Sequence, residues 1–156
     1  MGTRRKGREA ALQMLYQMDV SGVGAEDALR TYWTHLTHEA QQADLEEGEV
    51  VPPPTKPKNA EVREFAEALI RGVASHRERI DETIRKVSHH WRLERMMRVD
   101  RNILRLATYE LLAMDDIPRR VTLNEAIELA KRFGAEGSPG FVNGVLDRIA
   151  TDVGKE

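Results

Sequence analysis

Apolar residues recur at three- and four-residue spacing along almost the whole chain, and no segment alternates apolar and polar residues as a half-buried strand would. Val62, Phe65, Ala66, Leu69, Ile70 and Val73 fall on one face of an amphipathic helix. Ile80, Ile84, Val87 and Trp91 continue the helical spacing in a second segment, after Ser75 and His76. From Val99 to Met114 the chain is apolar on most faces (Val99, Ile103, Leu104, Leu106, Ala107, Leu111, Leu112), which predicts a central helix surrounded by others. The stretch "TLNE" from Thr122 reads as a capping box closed by Glu125, followed by a buried stripe of Leu123, Ala126, Ile127 and Ala130. Gly134 is the expected stop. Ser138 with Pro139 behind it reads as an N-cap with proline at the first helical position, opening a last helix to about Ala150. The expectation is an all-α fold of about seven helices.

With 156 residues the chain can form one compact domain or two small subdomains sharing a core. The break in the helical pattern is "EEGEVVPPPTKPKN", Glu46 to Asn59, whose four prolines and acids suit neither a helix nor a core segment. A long acidic, Pro-rich loop over residues 44–59 is therefore expected between helices two and three. It sits within an N-terminal helical half of about residues 3–90, followed by a C-terminal half of about residues 91–153. The chain has no cysteine, which excludes disulfides and thiolate metal sites and fits a reducing compartment. No apolar run approaches the roughly 20 residues of a membrane span, and the basic N-terminus is not followed by a signal-peptide core. A soluble, cytoplasmic protein without cofactors is expected.

Catalytic signals are weak. His35, His38 and Glu39 could share a helix face and His89–His90 form a pair, but no further ligands converge, so solvated histidines are the expectation. Gly134, Gly137 and Gly140 follow a helix rather than a strand, and no Gly-Lys-Ser/Thr accompanies them, which argues against a phosphate loop. The stretch "EAIELAKRFGAEGSPGFVNGVLDRIA" has the outline of a helix-turn-helix. Its second helix, however, opens on Pro139, Gly140, Phe141 and Val142 rather than on base-reading side chains. A plain helical hairpin accounts for it.

Charge is the more informative signal. The net charge is −2, yet Arg4, Arg5, Lys6 and Arg8 place +4 in the first eight residues, while Glu39, Asp44, Glu46, Glu47 and Glu49 lie together without a base. Arg4 and Arg8 are spaced i, i+4, and Arg5 and Arg8 i, i+3. A helix extending this far would gather them into one basic ridge; otherwise the block is a frayed, solvated end. Phe141 lies about 95° from the centre of the apolar stripe Val142, Val145, Leu146, Ile149 and Val153, with Arg148 on the same flank. It is either a stacking platform for a splayed RNA base or a partly buried core residue. Gly144, one turn after Phe141 in mid-helix, suggests that something packs closely there.

These residues resemble a known family. "VDRNILRLATYELLAMDDIPRRVTLNEAIELAKRFGAEGSPGFVNGVLDRIA" (Val99 to Ala150) and "RRKGREAALQMLYQMD" near the N-terminus are similar to the C-terminal half and the opening helix of the NusB family of bacterial transcription antitermination factors. The linker around Val51–Lys58 is longer and richer in proline than that family's pattern, and Gly137 and Gly140 replace charged or polar residues. The resemblance implies two packed helical bundles, no catalysis and no cofactor. It implies binding of boxA RNA in nascent rRNA transcripts together with NusE, a ribosomal protein, to load an antitermination complex on RNA polymerase. By motif position it places the RNA site on Arg4, Arg5, Lys6, Arg8 and Phe141, to which the flank position adds Arg148. It places the NusE-facing surface on Tyr16, Glu94 and Asp100. A basic ribosomal protein would be steered by Glu94 and Asp100, although Asp100 also reads as a helix N-cap. Two alternatives remain at this point. One is a homodimeric helical protein with a masked RNA surface; the other is an RNA-binding module like that of some rRNA cytosine methyltransferases.

Overall fold

The structure, a computed structural model, describes residues 2–34 and 60–155. The expected loop over 44–59, the acidic run and His35, His38 and Glu39 lie outside the described residues. Within them the chain forms seven α-helices and no strand: α1 (Thr3–Ser21), α2 (Ala25–Thr34), α3 (Ala60–Ser75), α4 (Arg77–Val87), α5 (Arg98–Ala113), α6 (Arg119–Phe133) and α7 (Ser138–Asp152), with a short 3-10 turn at Leu93–Arg95. Among the described residues no helix is long and apolar enough to cross a membrane.

The element that organises the molecule is α5. Its side chains are buried from Val99 to Leu111 with only Arg101 and Tyr109 partly exposed, and it packs on α1, α3, α4, α6 and α7. The apolar-all-round reading of this segment is thus met, because a helix with neighbours on every side has no face left for water. One group of helices forms where α1 lies along α3 and α2 closes over both; the other forms where α7 lies along α6 and against α4. Close approach of α3 to α5 depends on Gly72, where an added Cβ would come within 2.0 Å of the Tyr109 ring.

Three boundaries differ from the sequence reading. The helix through Ile80, Ile84 and Val87 ends at Val87, so Trp91 is not its next buried turn but an exposed residue of the following loop. The capping box at Thr122 is not formed, since α6 already begins at Arg119 behind Pro118. Thr122 donates instead to the buried Glu110 carboxylate at 3.1 Å, and Glu125 is taken by Arg5. Tertiary partners have outcompeted the local cap. Ser138 lies inside α7 rather than capping it, and its hydroxyl accepts the Ala135 N–H at 3.0 Å.

Candidate nucleic-acid interface

Helix α1 starts at Thr3, so the basic block is a helical turn and not a frayed end. Its four cations have different environments. Arg4 is exposed and reaches Asp116 at 3.1 Å, and Arg5 is exposed with its guanidinium bidentate on Glu125 at 3.0 and 2.7 Å. That pairing raises the Arg5 pKa further, chiefly through the hydrogen bond to Glu125, and holds Glu125 below its ordinary value for the same reason. Lys6 is half-buried.

Arg8 does not belong to an exposed ridge. It is only 4 % exposed and donates from Nε and Nη2 to Glu110 at 2.8 and 2.9 Å, with Glu110 itself 2 % exposed. Its guanidinium lies 5.4 Å from the centre of the Phe65 ring. A buried guanidinium needs a matched carboxylate, and Glu110 on the central helix supplies one. The exposed ridge is therefore shorter than expected.

A charged groove that sequence reasoning missed lies beside Arg5. This shallow groove between α1 and α6 brings Arg5, Arg8, Lys131 and Arg132 together with Glu9, Glu125 and Glu128, so its cations are ion-paired rather than free. Arg132 is ion-paired to Glu9 and stacks over Phe133. The signal was present as "AKRFG" at the end of a helix, but only packing shows that this end lies alongside the second turn of α1.

Phe141 is half-buried at the start of α7, while Val142, Val145, Leu146 and Ile149 are fully in the core. This agrees with its place on the flank of the apolar stripe. Arg148 is exposed. Nothing packs against Gly144: a Cβ there would meet open space, as it would at Gly137 and Gly140. The expected close contact at Gly144 is absent.

The three residues expected to face a protein partner are unlike one another. Tyr16 is 2 % exposed, buried in the core beside Leu15 and Met14. The burial follows from α1 being enclosed on most sides from Gly7 to Tyr16. Glu94 is exposed in the 3-10 turn and accepts from Arg85 at 2.9 Å; its own backbone N–H and then Arg85 keep its pKa low. Asp100 is 7 % exposed, on the first turn of α5, where its charge suits the helix dipole. Burial pushes its pKa up against a hydrogen bond with Ser138, and its Oδ1 has no partner among the described residues. It is not an N-cap, because α5 begins two residues earlier.

Comparison with known proteins agrees with this architecture over nearly the full chain. The NusB family pattern matches residues 5–151. The transcription antitermination protein NusB of Anaeromyxobacter sp. (strain Fw109-5) is 48% identical over 153 residues, covering 98% of this chain and 93% of that protein. NusB of Myxococcus xanthus is 44% identical over 155 residues, covering 99% of each. Among solved structures, T. maritima NusB superposes with a TM-score of 0.73 at 38% identity, covering 97% of this chain and 92% of that one. A chain from the crystal structure of antitermination factors NusB and NusE in complex with double-stranded RNA gives 0.74 at 26% identity, covering 97% and 98%. The chain belongs to the NusB family.

Proposed function

We propose that this protein is a non-enzymatic transcription antitermination factor that binds boxA-type single-stranded RNA in nascent rRNA transcripts. In this reading it acts together with NusE and helps load an antitermination complex on RNA polymerase. The observation that carries the reading is the pair Arg4 and Arg5. They are exposed on the first turn of α1 in a chain of this family, Arg4 bridged to the exposed Asp116 and lying 5.4 Å from the centre of the Phe65 ring, Arg5 bridged to the half-buried Glu125. An Arg–carboxylate fork has the geometry of an Arg–phosphate fork, so a backbone phosphate can replace Glu125 on Arg5 without reorienting the guanidinium. Phe141 and Arg148 supply a second contact region with the same chemistry: an aromatic face for a base and a cation for a phosphate. Arg8 enters as the anchor that fixes the basic turn, its charge being already neutralised by Glu110. On the partner side Glu94 is the exposed acid available for an electrostatic contact, whereas Tyr16 and Asp100 are buried.

The test is a titration of boxA-like and scrambled RNA across a range of salt, with and without NusE. Removing two phosphate contacts through Arg4→Ala plus Arg5→Ala should weaken binding and reduce the log–log salt slope by about 1.4. An unchanged affinity and slope would make the basic turn a structural feature only. Sedimentation of the chain with and without NusE separates the heterodimer from a self-associating protein.

A further inference from the structure

Trp91 is the most exposed large apolar side chain among the described residues, at 62 %, and the fold holds it there rather than leaving it loose. Its backbone N–H donates to the Ser88 carbonyl at 2.8 Å, and the buried Ser88 hydroxyl returns a bond to the Trp91 carbonyl at 3.2 Å. Ser88 is itself tied to Ile84 at the end of α4 by a 3.0 Å backbone bond. The indole meets Phe141 at a centroid distance of 5.8 Å with the ring planes 77° apart. Two aromatic rings from separate elements thus form an open corner at the start of α7. A planar base stacked on one ring meets the other edge-on, the arrangement aromatic quadrupoles favour.

Charge around the corner indicates its occupant. The groove beside Trp91 is lined by Arg85, His89, Arg92 and Glu94; Arg85 and Glu94 neutralise each other at 2.9 Å, whereas Arg92 and the exposed Arg148 form no salt bridge among the described residues. Arg148 follows Phe141 by seven residues, which puts it within about 20° on the same face and about 10 Å further along α7. The other exposed large apolar residues, Val23 and Val121, belong to the α1–α2 loop and to α6. A tryptophan–phenylalanine pair flanked by the unpaired cations Arg92 and Arg148 differs from the contiguous apolar patch that protein docking uses and matches the aromatic-plus-cation platform of single-strand binders.

We infer that Trp91 is a second base-stacking residue, forming with Phe141 a corner that holds an unpaired base of single-stranded RNA. The inference rests on the RNA-binding reading above and adds to it a residue from outside α7. The chain has two tryptophans, so Trp33→Phe leaves Trp91 as the single indole reporter. In that variant, a saturating single-stranded boxA-like oligonucleotide should quench Trp91 fluorescence. Trp91→Ala should weaken RNA binding on the order of tenfold or more, with Trp91→Phe intermediate. The melting temperature should change little in either, because the side chain is mostly in water. Normal RNA affinity in Trp91→Ala, with Arg4→Ala plus Arg5→Ala still impaired, overturns the inference while the RNA reading stands. Loss of NusE binding alone, with RNA affinity intact, assigns Trp91 to a protein contact and also overturns it. If the unsubstituted protein binds no RNA with or without NusE, the underlying reading fails first and the inference fails with it.

Discussion

Arg4 and Arg8 are one helical turn apart and carry the same charge, but they have opposite environments. Arg8 is enclosed with Glu110, and removing one partner of a buried pair leaves the other charged and unsolvated. Arg8→Ala should therefore destabilise the fold by about 3–5 kcal/mol in chemical denaturation. Arg4→Ala, at an exposed pair, should change stability by less than about 1 kcal/mol. Comparable losses from both would show that Arg8 is not the anchor. Asp100 poses the reverse problem, because it is buried with no cationic partner among the described residues and its pKa is raised by that burial. A carboxyl whose folded pKa lies above its unfolded value is penalised once the pH exceeds the folded value, and the penalty disappears below the unfolded value near 3.9. Asp100→Asn, which can keep the Ser138 bond, should raise the melting temperature at pH 7, and the gain should vanish towards pH 3. A gain independent of pH would rule out the ionised carboxylate as its source.

Among the helices, α7 shows how one element separates a packing face from an open flank. Its inner face of Val142, Val145, Leu146 and Ile149 is fully buried, and its flank presents Phe141 and Arg148. Gly144 lies on the exposed side with room for a methyl group, so its effect is purely one of helix propensity. Gly144→Ala should stabilise the protein by about 0.5–1 kcal/mol, read as a higher denaturation midpoint. Gly72→Ala on α3 should do the opposite, because its new methyl would be forced into the Tyr109 ring, and overpacking of this kind costs about 1–3 kcal/mol. If both changes had the same sign, the α3–α5 approach would be looser than the contact distance implies.

Across the whole molecule, a partly buried ionic network ties the two helical groups together. Asp19 at the end of α1 accepts from Arg101 at 2.7 and 3.0 Å and from Asn102 at 2.9 Å, while Arg105 joins it to Asp81 on α4 at 2.9 Å. Burial alone would raise the Asp19 pKa, but the hydrogen bonds from Arg101 and Asn102, with the charges of Arg101 and Arg105, outweigh it and lower it. A depressed carboxylate contributes stability that is fully present above its unfolded value and is lost as the pH falls through the folded one. Asp19→Asn should thus lower stability at pH 7 and approach the parent protein at pH 2–3 in acid-unfolding curves. The helical architecture was legible in the chain because the 3.6-residue apolar period at Val62–Val73 and Val99–Met114 depends only on local order. The flank position of Phe141 was legible for the same reason, whereas the basic block stood open between a helical ridge and a frayed end until the structure began α1 at Thr3. What the sequence could not determine was which charges face water. Arg8, Tyr16 and Asp100 look like surface residues in a linear reading, and Trp91 looks like a core one. The environments of Arg8 and Asp100 depend on Glu110 and Ser138, partners far along the chain that they meet only when the helices pack, while Trp91 is turned outward by the turn that follows α4 and seated against Phe141 of α7. Periodicity is a property of neighbours in sequence, whereas burial and ion pairing are properties of neighbours in space, so the tertiary structure alone decided them.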